Sequence, residues 1–161
     1  MNNFNNNLDS SISNIFKHSK QYPFHLSVAG VVIRNNKILL QYKKTTKVYR
    51  IPSESVEIDD TIFSVISRLG KEELGLKLIP LHFLGSNNKH AFIDNKGLKI
   101  NKTTLYFLCK PVGKVKRTPL DIELKLYDFV WIDIDQALNV LAQRDRREDR
   151  FVRVVLDGTT I

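Results

Sequence analysis

The chain has 161 residues, of which 42% are hydrophobic and 26% are charged, and its net charge at pH 7 is +8. This length and apolar content are typical of one globular domain with its own core. No apolar run approaches the roughly 18 residues that a membrane-spanning helix needs, which excludes a transmembrane protein. The positive charge favours phosphate-bearing ligands. Its dispersal, without an aromatic–basic RNA motif or zinc spacing, argues against dedicated nucleic-acid binding.

The N-terminus and the cysteine content indicate the compartment of the protein. The first residues lack the basic-then-apolar layout of a secretory signal. Cys109 is the only cysteine, so no internal disulfide can form. We therefore expect a cytoplasmic protein. Because Cys109 lies in an apolar run, we also expect its thiol to be buried and unreactive.

Residues 1–23 are predicted to be an extension that precedes the domain. Five of the first seven residues are asparagine, and such low-complexity sequence favours disorder. Apolar residues on one face of residues 8–16 predict a short helix, which ends before Pro23. Residues 24–161 are predicted to form a single domain, because no linker interrupts them.

The domain begins with a hairpin. Residues 25–34 are rich in valine and isoleucine, and residues 37–43 have the pattern of a return strand. Asn35 and Asn36 between them suit a two-residue turn. This hairpin is the clearest local feature of the sequence.

A turn-rich stretch, residues 45–60, leads into the first helix of the domain, residues 61–74. Asp59 or Asp60 precedes the first apolar turn and is the predicted N-cap. Gly75 takes the position at which glycine commonly ends a helix.

This first helix carries a carboxylate within its apolar face. At about 100° per residue, four residues form one apolar sector: Ile62, Val65, Ile66 and Leu69. Glu73 points from the middle of that sector, where a carboxylate costs several kcal/mol unless it is paired or binds a cation. Two interpretations stay open. Either Glu73 emerges beyond the core at the helix end, or Glu72 and Glu73, with Arg68 one turn away, form a site for a divalent cation.

The second half of the chain adds strands and then helices. Strands are predicted at residues 77–84, 90–93, 103–110 and 127–132, with a turn at residues 95–97. A helix then begins at Asp133 or Asp135 and ends near Gln143, and another covers residues 146–156. The mixed charges of residues 144–153 indicate a solvated helix face with i,i+4 ion pairs. Because strands and helices do not alternate regularly, we predict an α/β (α+β) fold with a mixed β-sheet flanked by helices.

Residues 54–76 resemble the Nudix box, G-x5-E-x7-R-E-U-x-E-E-x-G-U, in which U is an apolar residue. Arg68 falls on the arginine of the box, and Glu72 and Glu73 fall on its paired glutamates. Gly75 falls on its last glycine. The hairpin before the box and the strands after it occur in the order typical of the Nudix hydrolases. The resemblance runs from His25 to the C-terminus and implies a Nudix-like α/β/α sandwich.

The chain also departs from the box. The differing residues are Ser53 and Glu54 in place of glycines, Asp60 and Leu69 in place of glutamates, and Gly70 in place of an apolar residue. In Nudix hydrolases the glutamates of this helix bind the Mg²⁺ ions that bridge the diphosphate. Mg²⁺ demands near-octahedral oxygen ligation, which leucine cannot supply. The resemblance therefore implies a damaged metal site.

Candidate site residues follow from the resemblance. It implies Arg68, Glu72 and Glu73 as catalytic residues, and Glu72, Glu73 and Glu57 as ligands of Mg²⁺ or Mn²⁺. Glu54 is a second candidate replacement ligand. Metal-assisted hydrolysis of a diphosphate needs neutralised phosphates and an activated water.

Other residues are candidates for contacts with the substrate. A carboxylate from a later loop often serves as base in the family, and Asp121 and Glu123 are the candidates. The residues predicted to contact the substrate are Lys43, Lys47, Arg50 and Glu123, the three cations through its phosphates. Three aromatic residues are predicted to pack in the core, with base stacking as the alternative: Phe83, Phe92 and Trp131.

Three functional hypotheses remain. In the first, the protein binds a nucleotide or a nucleoside-diphosphate-linked ligand and hydrolyses it poorly or not at all. In the second, it is an active Mg²⁺-dependent pyrophosphohydrolase of such compounds. In the third, the fold is a scaffold for protein or nucleic-acid contacts. The resemblance also makes a homodimer a candidate assembly, because dimers are common in the family.

Overall fold

The computed structural model describes residues 23–94, 96–115, 126–144 and 146–158, without the side chains of residues 91 and 92. Its strands are β1 (Phe24–Arg34), β2 (Lys37–Lys43), β3 (Val48–Arg50), β4 (Ser53–Ser55), β5 (Leu76–Ile93), β6 (Lys99–Lys114) and β7 (Tyr127–Asp133). Its helices are α1 (Ile62–Arg68), which continues as a π-helical segment (Leu69–Leu74), α2 (Ile134–Ala142) and α3 (Asp149–Leu156). The helix predicted at residues 8–16 and the candidates Asp121 and Glu123 lie outside the described residues.

The seven strands form one mixed sheet. Its main path runs in the order β3-β2-β1-β6-β5, while β4 pairs with β1 and β7 pairs with β2. Among the described strands, β1 and β6 form the parallel pair, with Val28 opposite Leu105. The remaining pairs are antiparallel. The mixed sheet confirms the predicted fold class.

The sheet buries side chains on both of its faces because residues alternate along each strand. On one face, Ala29 and Val31 belong to a core cluster that includes residues of α2 and α3. On the other face, Val28 and Val32 belong to a cluster that includes Val65 and other residues of α1. Helices therefore cover both faces, as the predicted sandwich requires. No helix in the described ranges combines the length and apolar content needed to cross a membrane.

The opening hairpin is confirmed. Asn35 and Asn36 have φ angles of 51° and 57°, which is the left-handed conformation that a two-residue type I′ turn needs at both central positions. Strand β2 covers Lys37–Lys43 as predicted. Local sequence was sufficient here because the turn residues alone determine the pairing of the two strands.

Other strands differ from the prediction. The strands predicted at residues 77–84 and 90–93 are one strand, β5, whose register against β6 shifts at several points, for example between Pro80 and His82. Such bulges let a strand continue through an irregular pattern. Strands β3 and β4 lie within the stretch predicted to be turns, and each has three residues. Runs this short carry no readable period.

The first helix begins and continues differently from the prediction. Its N-cap is Thr61, not Asp59 or Asp60: the Thr61 hydroxyl accepts from the Ser64 amide at 3.1 Å, and the Ser64 hydroxyl accepts from the Thr61 amide at 2.9 Å. Asp59 has a φ of 68° and precedes the helix. After α1 the chain continues as the π-helical segment, which Gly75 ends in the left-handed conformation, as predicted.

Gly70 stands in the π-helical segment where the Nudix box has an apolar residue, and the packing there explains the change. A Cβ atom at this position would lie 2.4 Å from the carbonyl oxygen of Leu76 and 3.0 Å from Cγ of Leu78. Real Cβ atoms do not approach a backbone oxygen so closely. The segment can therefore pack against the start of β5 only because residue 70 lacks a side chain.

The predicted burial of Cys109 is confirmed, because its side chain is 2% exposed. This burial raises the pKa of its thiol to about 12.

The aromatic residues differ from the prediction. Phe83 and Trp131 were predicted to pack in the core, but they are 49% and 37% exposed. Phe83 lies on β5, the last strand of the sheet path, and its ring packs 5.3 Å from that of Phe107. The side chain of Phe92 lies outside the described residues.

Candidate functional site

Arg68, the arginine of the box, joins α1 to the segment that precedes it. Its Nη2 atom donates to the carbonyl oxygen of Ser55 at 2.7 Å and to Oδ2 of Asp60 at 2.8 Å. Its Nη1 atom donates to Oδ1 of Asp60 at 3.1 Å. These bonds hold β4 and the loop after it against the helix. The catalytic role that the resemblance implies for Arg68 stays a prediction.

Hydrogen bonds from Arg68, together with the Glu57 amide, hold the pKa of Asp60 well below its usual value of 3.8. A carboxylate with a depressed pKa stabilises the fold at pH values above its unfolded pKa, and this contribution is lost as the pH falls through the folded pKa. Asp60, which stands where the box has glutamate, therefore stabilises the fold through its hydrogen bonds to Arg68 and the Glu57 amide.

We expect Asp60→Asn to flatten the acid limb of the stability profile. Urea unfolding of the wild type should show the free energy of unfolding falling steeply below about pH 4, because Asp60 must take up a proton when its bonds to Arg68 break. The variant should be less stable at pH 7 and lose less on acidification. Asp59→Asn, at the exposed neighbouring position, serves as the control. Equal acid limbs for Asp60→Asn and the wild type would contradict this role.

A cleft in the described part of the chain has a volume of about 810 Å³. It lies where β1 to β4, the π-helical segment, β6 and the chain after α2 meet. Its charged lining comprises Lys43, Arg50, Glu54, Glu73, Lys89, Asp94, Lys102, Arg144 and Arg146, with His25 among the neutral and polar residues. The volume is within the range of small-molecule sites, about 300–1,000 Å³.

Two carboxylates of the box region line this cleft. Glu73 comes from the π-helical segment and is 8% exposed, which agrees with its predicted place in the apolar sector. Glu54 comes from β4. Its Oε1 accepts from the Ser55 amide at 2.9 Å and lies 4.0 Å from Nε of Arg68. The residue that replaces a box glycine therefore brings a carboxylate to the cleft.

The other predicted metal ligands are placed elsewhere. Glu57 and Glu72 are not among the residues that line the cleft. In the described ranges, no three histidine, cysteine, aspartate or glutamate side chains are close enough to hold one metal ion. Mg²⁺ is usually held by one or two carboxylates with waters and substrate phosphates. The ligand set Glu57, Glu72 and Glu73 therefore stays a prediction.

Of the residues predicted to contact the substrate, two line the cleft. Lys43 and Arg50 both line the cleft. Arg50 donates from Nε to the side chain of Gln41, and its guanidinium lies 5.2 Å from the ring centroid of Tyr127. Lys47 is exposed, has a φ of 54° and is not among the lining residues. Glu123 lies outside the described residues.

Lys102 is a site residue that the sequence did not reveal. It lies on β6 opposite His25 of β1. Burial, and then the positive charges of Arg146 and Arg50, lower the pKa of Lys102 to about 8, with Glu148 opposing. Burial and Lys102 in turn lower the pKa of His25. Lys102 is one of several lysines on β6, and the alternation of the strand could have indicated only which face it occupies.

Glu148 anchors the chain between α2 and α3. It is 1% exposed. Its Oε1 accepts from the hydroxyl of Tyr106 at 2.8 Å and its Oε2 from the amide of Ile51 at 3.1 Å. Burial and the neighbouring carboxylate raise the pKa of Tyr106, whose ring stacks 3.9 Å from that of Phe151. The carboxylate thus connects three parts of the fold: β6, the end of β3 and α3.

The prediction of a solvated face for residues 144–153 is therefore wrong in part. Glu148 and Asp149 are both buried, and α3 begins at Asp149, not at Arg146. The predicted i,i+4 pair exists, with Nε of Arg153 lying 3.4 Å from Oδ2 of Asp149. The charges of Arg147 and Arg153 lower the pKa of Asp149. The sequence of this run does not distinguish a buried carboxylate from an exposed one, because both lie among the same mixed charges.

Two arginines of the same run reach the cleft. Nη1 of Arg144 donates to the carbonyl oxygen of Tyr49 at 2.9 Å. Nδ2 of Asn87 donates to the carbonyl oxygen of Arg146 at 2.9 Å. These bonds fix the chain after α2 against β3 and β5, so that both arginines line the cleft.

Comparison with known proteins identifies similar folds. A family model described as NUDIX domain matches residues 23–154. A NUDIX hydrolase from Nitrosomonas europaea has a TM-score of 0.65 and 19% identity, over 85% of this chain and 91% of that chain. MutT protein from Methanosarcina mazei Go1 has a TM-score of 0.62 and 19% identity, over 86% of this chain and 97% of that chain.

An ADP-ribose pyrophosphatase from Streptococcus suis is similar over a smaller part. It has a TM-score of 0.50 and 16% identity, over 69% of this chain and 75% of that chain. No curated protein matches the chain. At these identities, the structural likeness concerns the fold.

Proposed function

The chain belongs to the Nudix family, and on that premise we propose that it binds a nucleotide or a nucleoside-diphosphate-linked small molecule and hydrolyses it poorly or not at all. The observation that carries this proposal is the charge of the cleft. Six lysine and arginine side chains line it against three carboxylates. A concave site with this excess of positive charge attracts a ligand that carries phosphates.

The class of ligand follows from the family and from the size of the cleft. A relative with the same fold carries the name of an ADP-ribose pyrophosphatase, whose substrate is a diphosphate that links two groups. A volume of about 810 Å³ suits a ligand of nucleotide size. Arg50 and Lys43 line the cleft and would contact its phosphates.

Impaired hydrolysis follows from Leu69, which replaces a glutamate of the box. Leu69 is fully buried, and its Cδ2 atom lies 3.3 Å from the position of a Cβ at Gly30 in β1. The side chain therefore fills the space between helix and sheet and offers no oxygen to a cation. This chain uses the position for packing.

One observation favours the alternative, an active Mg²⁺-dependent pyrophosphohydrolase. Glu54 and Glu73 approach the same cleft from different elements. Two carboxylates with substrate phosphates and waters are enough for one Mg²⁺. Glu54 would then replace a ligand that the box normally supplies from the helix.

A binding and turnover panel separates these functions. The full chain is mixed with nucleoside triphosphates, ADP-ribose, UDP-glucose and a dinucleotide, with Mg²⁺ or Mn²⁺. We expect at least one compound to raise the melting temperature without release of product. Product formation that Glu73→Gln abolishes and Glu72→Gln does not would establish the alternative. If no compound changes the melting temperature or is hydrolysed, the proposal fails.

A further inference from the structure

Three cations from distant parts of the chain meet in the cleft: Arg50 of β3, Lys102 of β6 and Arg146 of the chain after α2. We call them the basic cluster. Like charges that are close together oppose folding. Burial, and then the charges of Arg146 and Arg50, lower the pKa of Lys102 to about 8. Three cations that line one cleft offer a place for an anionic ligand.

The basic cluster is held in position before any ligand arrives. Arg50 donates to Gln41 and lies over the ring of Tyr127. The backbone at Arg146 is held by the side-chain amide of Asn87, and the backbone at Lys102 by the pairing of β6 with β1. The side chain of Arg50 and the backbone of the other two residues therefore need little ordering when a ligand binds, which lowers the entropy cost of binding.

Glu148, the carboxylate that acts on Lys102, is committed to other groups. It opposes the lowering of the Lys102 pKa that burial and the charges of Arg146 and Arg50 cause. Its two oxygens accept from the Tyr106 hydroxyl and the Ile51 amide. The cleft itself is lined by six lysine and arginine side chains and three carboxylates (Glu54, Glu73 and Asp94), so its lining carries an excess of positive charge.

We infer that the basic cluster itself neutralises the diphosphate of the ligand, so that the ligand binds without a divalent cation. This inference rests on the proposed function, in which the cleft takes a diphosphate ligand. Arginine binds phosphate oxygens in pairs through its planar fork, and lysine adds a compact charge. Leu69 is buried, and Glu57 and Glu72 are not among the described residues that line the cleft. Both observations agree with a site in which cations take the place of metal ligands.

Isothermal titration calorimetry of the full chain tests the inference, with ADP-ribose, UDP-glucose and inorganic pyrophosphate as probes. Each is titrated in EDTA and again in MgCl₂. We expect similar dissociation constants in both buffers and weaker binding at higher salt, because fixed charges are screened. Binding that requires Mg²⁺ would overturn the inference and leave the proposed function intact. Binding in neither buffer would overturn both.

Substitution of Lys102 separates a binding role from a structural one. Lys102→Met should weaken binding in EDTA about tenfold, the typical loss for a hydrogen bond to a charged group. Its melting temperature should stay the same or rise, because a buried charge and its repulsion by Arg50 and Arg146 are removed. Lys110→Met, at an exposed position of the same strand, should change neither quantity.

Arg146→Gln provides a second variant, since glutamine keeps hydrogen-bonding capacity without the charge. Its affinity in EDTA should also fall about tenfold. If Lys102→Met and Arg146→Gln both bind the probes as tightly as the wild type does, the basic cluster does not bind the diphosphate and the inference is wrong.

Discussion

Replacing Leu69 by glutamate, the residue that the Nudix box has at this position, is expected to destabilise the protein without restoring hydrolysis. Leu69 is fully buried and packs toward Gly30 and its strand. A carboxylate placed there would lose its hydration and gain no cation, and the leucine packing would be lost as well. Together these should lower the free energy of unfolding by on the order of 3–5 kcal/mol.

Urea unfolding and a hydrolysis assay with Mg²⁺ check this expectation on the same samples. Leu69→Met is the matched control, because it keeps the volume and apolar character and should cost less than about 1.5 kcal/mol. A Leu69→Glu protein that is as stable as the wild type and hydrolyses ADP-ribose would show that residue 69 reaches the cleft. The account of impaired hydrolysis would then be wrong.

The second large effect is expected at Glu148, the buried carboxylate that joins β6, β3 and α3. Glu148→Ala leaves the Tyr106 hydroxyl and the Ile51 amide buried without their acceptor. Each unsatisfied group costs about 1–3 kcal/mol, so we expect a loss of on the order of 3–5 kcal/mol in the free energy of unfolding. Because this anchor also fixes Arg146, affinity for the probes of the cleft should fall too.

Glu148→Gln refines this measurement. The amide keeps one acceptor oxygen but loses the other. The free energy of unfolding of this variant, measured in urea, should therefore lie between those of the wild type and Glu148→Ala. Asp135→Asn, an exposed carboxylate on α2, should change stability by only a few tenths of a kcal/mol. If Glu148→Ala were no more destabilising than Asp135→Asn, the buried anchor would have no energetic importance.

Glu73 and Leu69 on the first helix show what could and could not be predicted from the sequence. The wheel of the first helix placed Glu73 within an apolar sector, and the side chain is 8% exposed at the border of core and cleft. The wheel assumed an α-helical period throughout, whereas Glu73 lies in the π-helical segment, so its burial also depends on how that segment packs against the start of β5. The same wheel could not show that Leu69 packs toward Gly30, since that contact depends on how the helix lies on β1.

Capping and fine packing were less predictable. Thr61, Asp59 and Asp60 all suit an N-cap by residue type, and the choice of Thr61 depends on Arg68, which takes the carboxylate of Asp60. From the sequence, glycine at position 70 is expected to destabilise the helix by about 1 kcal/mol relative to alanine. The structure requires glycine there, because any side chain would collide with the carbonyl oxygen of Leu76, which belongs to another element.

The sequence by itself determined the hairpin at Asn35 and Asn36, the end of the box helix at Gly75, the mixed α+β fold and the family. Each of these depends on local conformational preferences or on a linear motif. Tertiary structure alone decided that Glu54, not Glu57 or Glu72, joins Glu73 at the cleft. It also decided which cations assemble there. Arg50 and Lys102, and likewise Lys102 and Arg146, are about 50 residues apart in the sequence. The pairing of strands in the sheet and the buried anchor at Glu148 bring them together.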